Sequence, residues 1–221
     1  MNILLSSVFA LFVTSVTVSA AMAQEMKGDA KAGAGKVATC IGCHGIQGYQ
    51  ASFPEVYKVP MISGQGSKYI SAALTAYQKG ERKHPTMRGI ATALTDQDIA
   101  DIAAYYEVSG RQEGAAVPPK APEASGKTAA LVQKGACVSC HGDSFSKPID
   151  PAYPKIAGQH ADYLFVALKS YKSEGNTTWG RSNAVMAGIA KQFSNAELKE
   201  LANSVHRLPG ELKTVPQAKF K

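Results

Sequence analysis

The chain has 221 residues, of which 45% are hydrophobic and 19% charged, and a formal net charge of +7. That composition is ordinary for a globular protein. The positive charge comes with no long basic run and no recognised nucleic-acid motif, which argues against a nucleic-acid partner.

Residues Ile3 to Val18 are apolar, broken only by Ser and Thr, and Ala21-Met22-Ala23 forms a small-residue cleavage site before Gln24. This predicts a signal peptide over residues 1–23. Its start, Met1-Asn2, carries no Lys or Arg, so an uncleaved anchor is the alternative reading. The stretch is short for a membrane span. No later segment is long and apolar enough to cross a bilayer, so an exported, soluble product is expected.

About 198 residues follow the cleavage site, a length that suits two domains better than one. The expected division is residues 24–114, a linker over 115–124 and a second domain over 125–221. The linker contains Pro118, Pro119 and Pro122, which makes it extended and fairly stiff.

The first domain opens with a predicted helix from Asp29 to Cys43, Asp29 serving as N-cap. Its end carries Cys40-Ile41-Gly42-Cys43-His44. The same motif recurs as Cys137-Val138-Ser139-Cys140-His141, after a helix predicted from Ser125 to Cys140. The chain has no other cysteine. Cys-x-x-Cys-His is a c-type haem attachment pattern: two thiols add across the haem vinyl groups, and the adjacent histidine is placed to ligate the iron. Four thiolates on one zinc, or two thioredoxin-like dithiols, are the competing readings. The dithiol reading needs strand–helix alternation, and no segment alternates convincingly with period two.

The rest of the chain repeats as well. The haem motifs are offset by 97 residues, and Pro60-Met61-Ile62-Ser63-Gly64-Gln65 matches Pro154-Lys155-Ile156-Ala157-Gly158-Gln159 at 94. Middle helices are predicted over Ser67–Lys79 and Ala161–Ser173, each with one apolar face at helical spacing. Met87-Arg88-Gly89-Ile90-Ala91 matches Met186-Ala187-Gly188-Ile189-Ala190 at offset 99, in what reads as a loop. Last helices follow, opened by capping boxes at Thr95–Asp98 and Ser194–Glu197. The fold class is all-α: two tandem domains, each of about three main helices around a covalent haem.

Met87 and Met186 are the candidates for the sixth iron ligand, with His44 and His141 as the proximal ones. Met/His ligation suits electron transfer and raises the reduction potential. Met61 is replaced by Lys155 in the repeat, and His84, His160 and His206 read as surface or packing histidines. The carbonyls of Pro60 and Pro154 are candidates to accept the second ring N–H of the ligating histidines. Tyr69 and Tyr163 read as core residues. Arg82, Arg88 and Arg181 are possible propionate partners, although exposed arginine is the default.

Taken together, these segments and Thr95-Asp96-Gln97-Asp98-Ile99-Ala100-Asp101-Ile102-Ala103-Ala104-Tyr105-Tyr106 resemble the dihaem cytochromes c of the cytochrome c4 type. The resemblance covers nearly all of the mature chain. It implies two class I cytochrome c domains about a pseudo-twofold axis, two covalent haem c groups, and a periplasmic electron carrier between respiratory dehydrogenases or the cytochrome bc complex and terminal oxidases. The second domain departs from the pattern, ending its last helix in Asn203-Ser204-Val205-His206 instead of an Ala-Tyr-Tyr run. A haem subunit of a dehydrogenase complex, such as a flavocytochrome, is the second functional reading. Catalysis at haem is the third, and it is disfavoured because two methionines are candidates to close both irons. Charge is uneven: residues 24–114 hold ten Lys/Arg against nine Asp/Glu, whereas 115–221 hold fourteen against eight. One reading is a solvated lysine surface that keeps the protein soluble; the sharper one makes the second half the docking side for an acidic redox partner, with Lys147, Lys155, Lys169, Lys172, Arg181 and Lys191 as candidate contacts.

Overall fold

The computed structural model describes residues 26–111, 120 and 126–216. The expected signal peptide, the Ser125 cap and most of the expected linker lie outside the described residues.

Asp29 caps the first helix as expected, its carboxylate accepting from the N–H groups of Lys31 and Ala32. The helix then stops early. Instead of one helix to Cys43 there are two, α1 (Ala30–Ala34) and α2 (Ala38–His44). The first helix of the second copy also breaks, into one over Gly126–Lys134 and a short turn over Val138–His141. Gly35 closes α1, and left-handed Ala136 (φ 46°) turns the chain in the second copy. α1 crosses the last helix of its half with no room for side chains. A Cβ on Gly28 or Gly33 would lie 2.1 Å from the carbonyl oxygens of Ala100 or Asp101.

In chain order the remaining helices of the first half are α3 (Ser67–Gln78), α4 (Pro85–Ala91) and α5 (Asp96–Val108). Those of the second half are α6 (Gly126–Lys134), α7 (Val138–His141), α8 (Ala161–Ser170), α9 (Ala184–Ala190) and α10 (Asn195–His206). α4 and α9 correct the expectation that both methionines sit in loops. His84 and Asn183 cap these short helices by accepting from the N–H groups of Met87 and Met186, and Pro85 suits the first turn of α4. Both capping boxes form completely, the Asp98 version included.

Four two-residue strands complete the described architecture: β1 (Gln50–Ala51), β2 (Tyr57–Lys58), β3 (Arg82–Lys83) and β4 (Gly180–Arg181). They are too short to show a period-two pattern in sequence. β1 and β2 form a hairpin inside the first half, whereas β3 pairs antiparallel with β4 across the two halves. The fold remains all-α.

The apolar faces read from the sequence are the ones buried. Ile99, Ile102, Ala103 and Tyr106 of α5 join Val37, Ile70, Leu74 and Ala91 in one core. In the second half, Leu198 and Leu201 of α10 pack with Leu131 and Phe193, while Ala202 and Val205 pack with Phe145, Ala157 and Leu164. Each fully buried large side chain contributes about 1.5–3 kcal/mol.

Two buried glutamines join the halves reciprocally. Gln65 donates to the Lys155 carbonyl at 2.9 Å and accepts from its N–H at 2.9 Å. Gln159 does the same to Met61, donating at 2.8 Å and accepting at 3.0 Å. Since Gln65 and Gln159 are equivalent in the repeat, as are Met61 and Lys155, the contact has pseudo-twofold symmetry. The segment after α10 also crosses to the first half, where the Lys213 N–H donates to the Ser63 carbonyl at 3.0 Å.

Candidate functional site

A cavity of about 780 Å³ runs through both halves, with a largely apolar wall. A volume of that order suits a cofactor-sized ligand. Helix α2 presents Cys40, Cys43 and His44 to it, and α7 with its N-terminal neighbour presents Cys137, Cys140 and His141. Met87 from α4 and Met186 from α9 line the same cavity.

The histidines are oriented from behind. His44 Nδ1 lies 2.8 Å from the Pro60 carbonyl oxygen, and His141 Nδ1 lies 3.1 Å from that of Pro154. A carbonyl only accepts, so Nδ1 carries the proton and donates. Nε2 is left with its lone pair, the form that ligates a metal. Burial pushes both imidazoles below their ordinary pKa, against the raising effect of those carbonyls. They therefore stay neutral near pH 7.

None of the four cysteines is joined to another in a disulfide. Burial pushes Cys40 and Cys137 above the usual thiol range. Reactive dithiols are instead held as thiolates in electropositive surroundings. Among the described residues no group of three or more His, Cys, Asp or Glu is arranged to hold a metal ion, so the four thiols do not converge as a zinc site requires.

The rival ligands are placed differently. Both nitrogens of His84 are engaged: Nδ1 accepts from the Met87 N–H at 3.4 Å, and Nε2 lies 3.1 Å from the Tyr57 hydroxyl. It is the cap of α4 and not an ordinary surface histidine. Met61 lines the cavity, but its backbone belongs to the glutamine contact between the halves. His206 Nδ1 lies 2.8 Å from the Gln159 carbonyl, and His160 sits at the N-cap of α8.

Two features of the wall point to polar groups on the ligand. The Tyr106 hydroxyl is buried beside the Cys40 sulfur with no nitrogen or oxygen partner, and burial pushes its pKa up, so it remains a neutral phenol. Arg82 and Arg181, for which exposure was the default expectation, are half-buried and line the cavity. They donate to the hydroxyls of Tyr69 (3.1 Å) and Tyr163 (3.0 Å), so these tyrosines are polar partners and not plain core. Arg88 is exposed on α4. At the offset of 99 that relates Met87 to Met186, Arg82 falls on Arg181, and the β3–β4 pairing brings the two together. An apolar slot with paired thiols, an imidazole bearing a free lone pair, a thioether and interior cations fits haem, an apolar macrocycle with two carboxylates.

The candidate docking lysines are mostly engaged within the chain. Lys155 pairs with Glu211, Lys169 with Glu55 and Lys191 with Glu174, and Lys172 donates to the Phe193 carbonyl. Lys147 is exposed. No helix among the described residues is long and apolar enough to cross a membrane.

Comparison with known proteins agrees with this geometry. The cytochrome c family model matches twice, over residues 30–107 and 125–208. Cytochrome c4 of Stutzerimonas stutzeri is 32% identical over 197 residues, covering 82% of this chain and 90% of that protein. A thiosulfate dehydrogenase electron acceptor from Stutzerimonas stutzeri (strain A1501) is 30% identical, covering 87% of this chain and 89% of that one. Among solved structures, reduced recombinant cytochrome c4 from Pseudomonas stutzeri superimposes with a TM-score of 0.56 at 29% identity, over 82% of this chain and all of that one (100%).

Proposed function

Since the chain belongs to the cytochrome c family, as a dihaem member of the cytochrome c4 type, we propose that it is a periplasmic carrier passing electrons from respiratory donors to a terminal oxidase or another acceptor. It is an electron-transfer protein with two covalent haem c groups, one for each cytochrome c domain. Bound haem supplies one-electron chemistry at its iron.

The chain's own part is to hold and tune that iron. Cys40, Cys43, Cys137 and Cys140 attach the two groups through sulfur. His44 and His141 offer Nε2 as proximal ligands, each fixed in orientation by Pro60 or Pro154. Met87 and Met186 offer thioethers to the sixth position and favour the ferrous state. The observation that carries this reading is the paired geometry: each histidine is bonded to its proline carbonyl in a cavity that also receives the equivalent methionine.

The test is a mass and a spectrum. The mature chain is expected to start at Gln24, to be recovered from the periplasm and to keep two haems through acid–acetone extraction. Oxidised protein should show the weak far-red sulfur-to-iron band, and Met87→His or Met186→His should each remove half of it. A single haem, bound zinc, or an unchanged band in either variant overturns the assignment.

A second reading has support from one observation, the similarity to the thiosulfate dehydrogenase electron acceptor. On that reading the chain serves one dehydrogenase as its dedicated acceptor, or as the haem subunit of its complex. Co-purification with a dehydrogenase, and faster reduction by it than by the bc complex, would favour this. An acidic partner docking on the second half would show a rate that falls as salt rises.

A further inference from the structure

Arg82 and Arg181 are equivalent in the repeat, and the strand pair that joins the halves sets them directly opposite each other, with Lys83 opposite Gly180. Opposed residues in an antiparallel pair have Cα atoms about 4.5–5.5 Å apart, and like charges in that position repel. Their surroundings do not cancel the charge. The Arg82 guanidinium lies over the rings of Tyr69 (5.2 Å) and Tyr77 (5.8 Å). That of Arg181 lies over Tyr163 (5.7 Å) and Tyr171 (5.5 Å). An aromatic face attracts a cation through its quadrupole and adds no full countercharge. Among the described residues neither arginine is paired with a carboxylate. Glu81 is exposed, and Glu174 is exposed and bonded to Lys191.

Two like charges are thus held face to face, half-buried, in the wall of a cavity that serves both halves. Such an arrangement is costly unless anions complete it. Planar guanidinium is suited to bidentate recognition of carboxylate. Because the pair sits on the pseudo-twofold axis, neither cation belongs to one half. Coulombic interaction falls only as the inverse of distance, so a charge there acts on both sides.

We propose that Arg82 and Arg181 form a single shared clamp for the propionate carboxylates of both haems, so that each arginine helps set the reduction potential in the opposite half as well as in its own. This rests on the dihaem reading above. Tyr69 and Tyr163 are positioning residues for the clamp, since they hold the guanidiniums through their hydroxyls.

The test is a spectroelectrochemical titration of holoprotein whose two haems have first been counted by mass. A nearby cation disfavours the ferric state, so Arg82→Gln should lower both one-electron potentials together. The expected change is about tenfold in each ferrous-to-ferric ratio, equivalent to about 59 mV for a one-electron couple. Arg181→Gln should do the same independently, and either variant decides. If neither glutamine variant accumulates, Arg82→Lys and Arg181→Lys stand in, with smaller downward shifts expected in both waves because a lysine cannot make the bidentate contact. A shift confined to one wave, or none, with two haems present and the far-red band intact, overturns the shared clamp and leaves the carrier reading standing. A wild-type chain with fewer than two covalent haems overturns both.

Discussion

In the first half one continuous core runs from Val37 to Tyr106, and the Tyr106 ring reaches the cavity wall. In the second half Val205 stands at that position, and the buried residues divide into two clusters that follow one another along the apolar face of α10. The methionine-bearing helices are capped by His84 in one half and Asn183 in the other. What the halves share faces the axis or the cavity: the thiols, the histidine–proline bonds, the methionines, the glutamine clamps and the arginine pair. What differs is the packing behind those groups and two places in the wall itself, Tyr106 against Val205 and His84 against Asn183. Two unlike interiors can therefore present one site, provided that the caps and turns hold the same few side chains in place.

The largest effects should come from testing the two cores against each other. Ile102→Ala and Leu198→Ala each empty a site that is essentially closed to solvent, at 1% and 0% exposure. Each should cost about 2–5 kcal/mol. Thermal unfolding followed through both haems should remain one transition, because the glutamine contacts tie the halves. Separate melting of the altered half would show that the halves are independent.

Gln65→Ala and Gln159→Ala probe that tie directly. Each leaves a backbone N–H and carbonyl of the opposite half unpaired, at a cost of about 1–3 kcal/mol. If the contact is truly reciprocal the two costs should be similar. The double variant should differ from the sum of the singles, since both act on one interface.

A finer comparison uses two equivalent glycines. Gly64 (φ 85°) and Gly158 (φ 73°) are both left-handed, which costs a non-glycine residue about 1–2 kcal/mol. An added Cβ at 64 would lie 2.7 Å from the Glu211 carbonyl oxygen, whereas at 158 the nearest atom is 3.3 Å away. Gly64→Ala should therefore destabilise more than Gly158→Ala in denaturant titrations. Equal losses would mean that the segment after α10 yields easily.

The smallest effect should appear in acid. Hydrogen bonds from Lys36 hold the Asp98 and Asp101 carboxyls below their ordinary value of 3.8, and Asp101 is also held by the Asp29 N–H and by Gln97. A lowered folded pKa means that the contribution is complete above that ordinary value and fades as pH falls through the folded one. Among the described residues the equivalent place in the second half holds Thr128 donating to Glu200 in place of a lysine shared by two carboxylates, and the carboxyls held low there are Glu197 in its capping box and Glu174 beside Lys191. Below about pH 4 the first half should weaken more, and Asp101→Asn should remove most of the difference when unfolding is measured against pH.

Local pattern was enough for much of this architecture. The capping boxes, the Asp29 cap and the apolar faces of α5 and α10 depend on residues three or four apart, and spacing reveals them. The repeat singled out Met87 and Met186, which both line the cavity. The break between α1 and α2 was not visible, because Gly35 closes α1 inside a run that otherwise reads as helix, and the close approach of α5 at Gly28 and Gly33 comes from some 70 residues away. Nor did α4 and α9 read as helices, since their caps, His84 and Asn183, do not look alike. Arg82 looked exposed because arginine usually is, and the strand pairing that brings it to Arg181 crosses between the halves. The glutamine clamps lay within a matched segment, yet nothing local says that an amide will reach across to a partner backbone.

The segment following α10 ties the two halves a second time. Its Lys213 N–H bonds to Ser63, and Val215 lies where a Cβ on Gly110 would come within 2.7 Å. Residues beyond α10 thus cover part of the first half, beside the strip from Pro60 to Gly64. That cover exists only when the second half is folded and docked, so the segment acts as a latch on the union of the two halves.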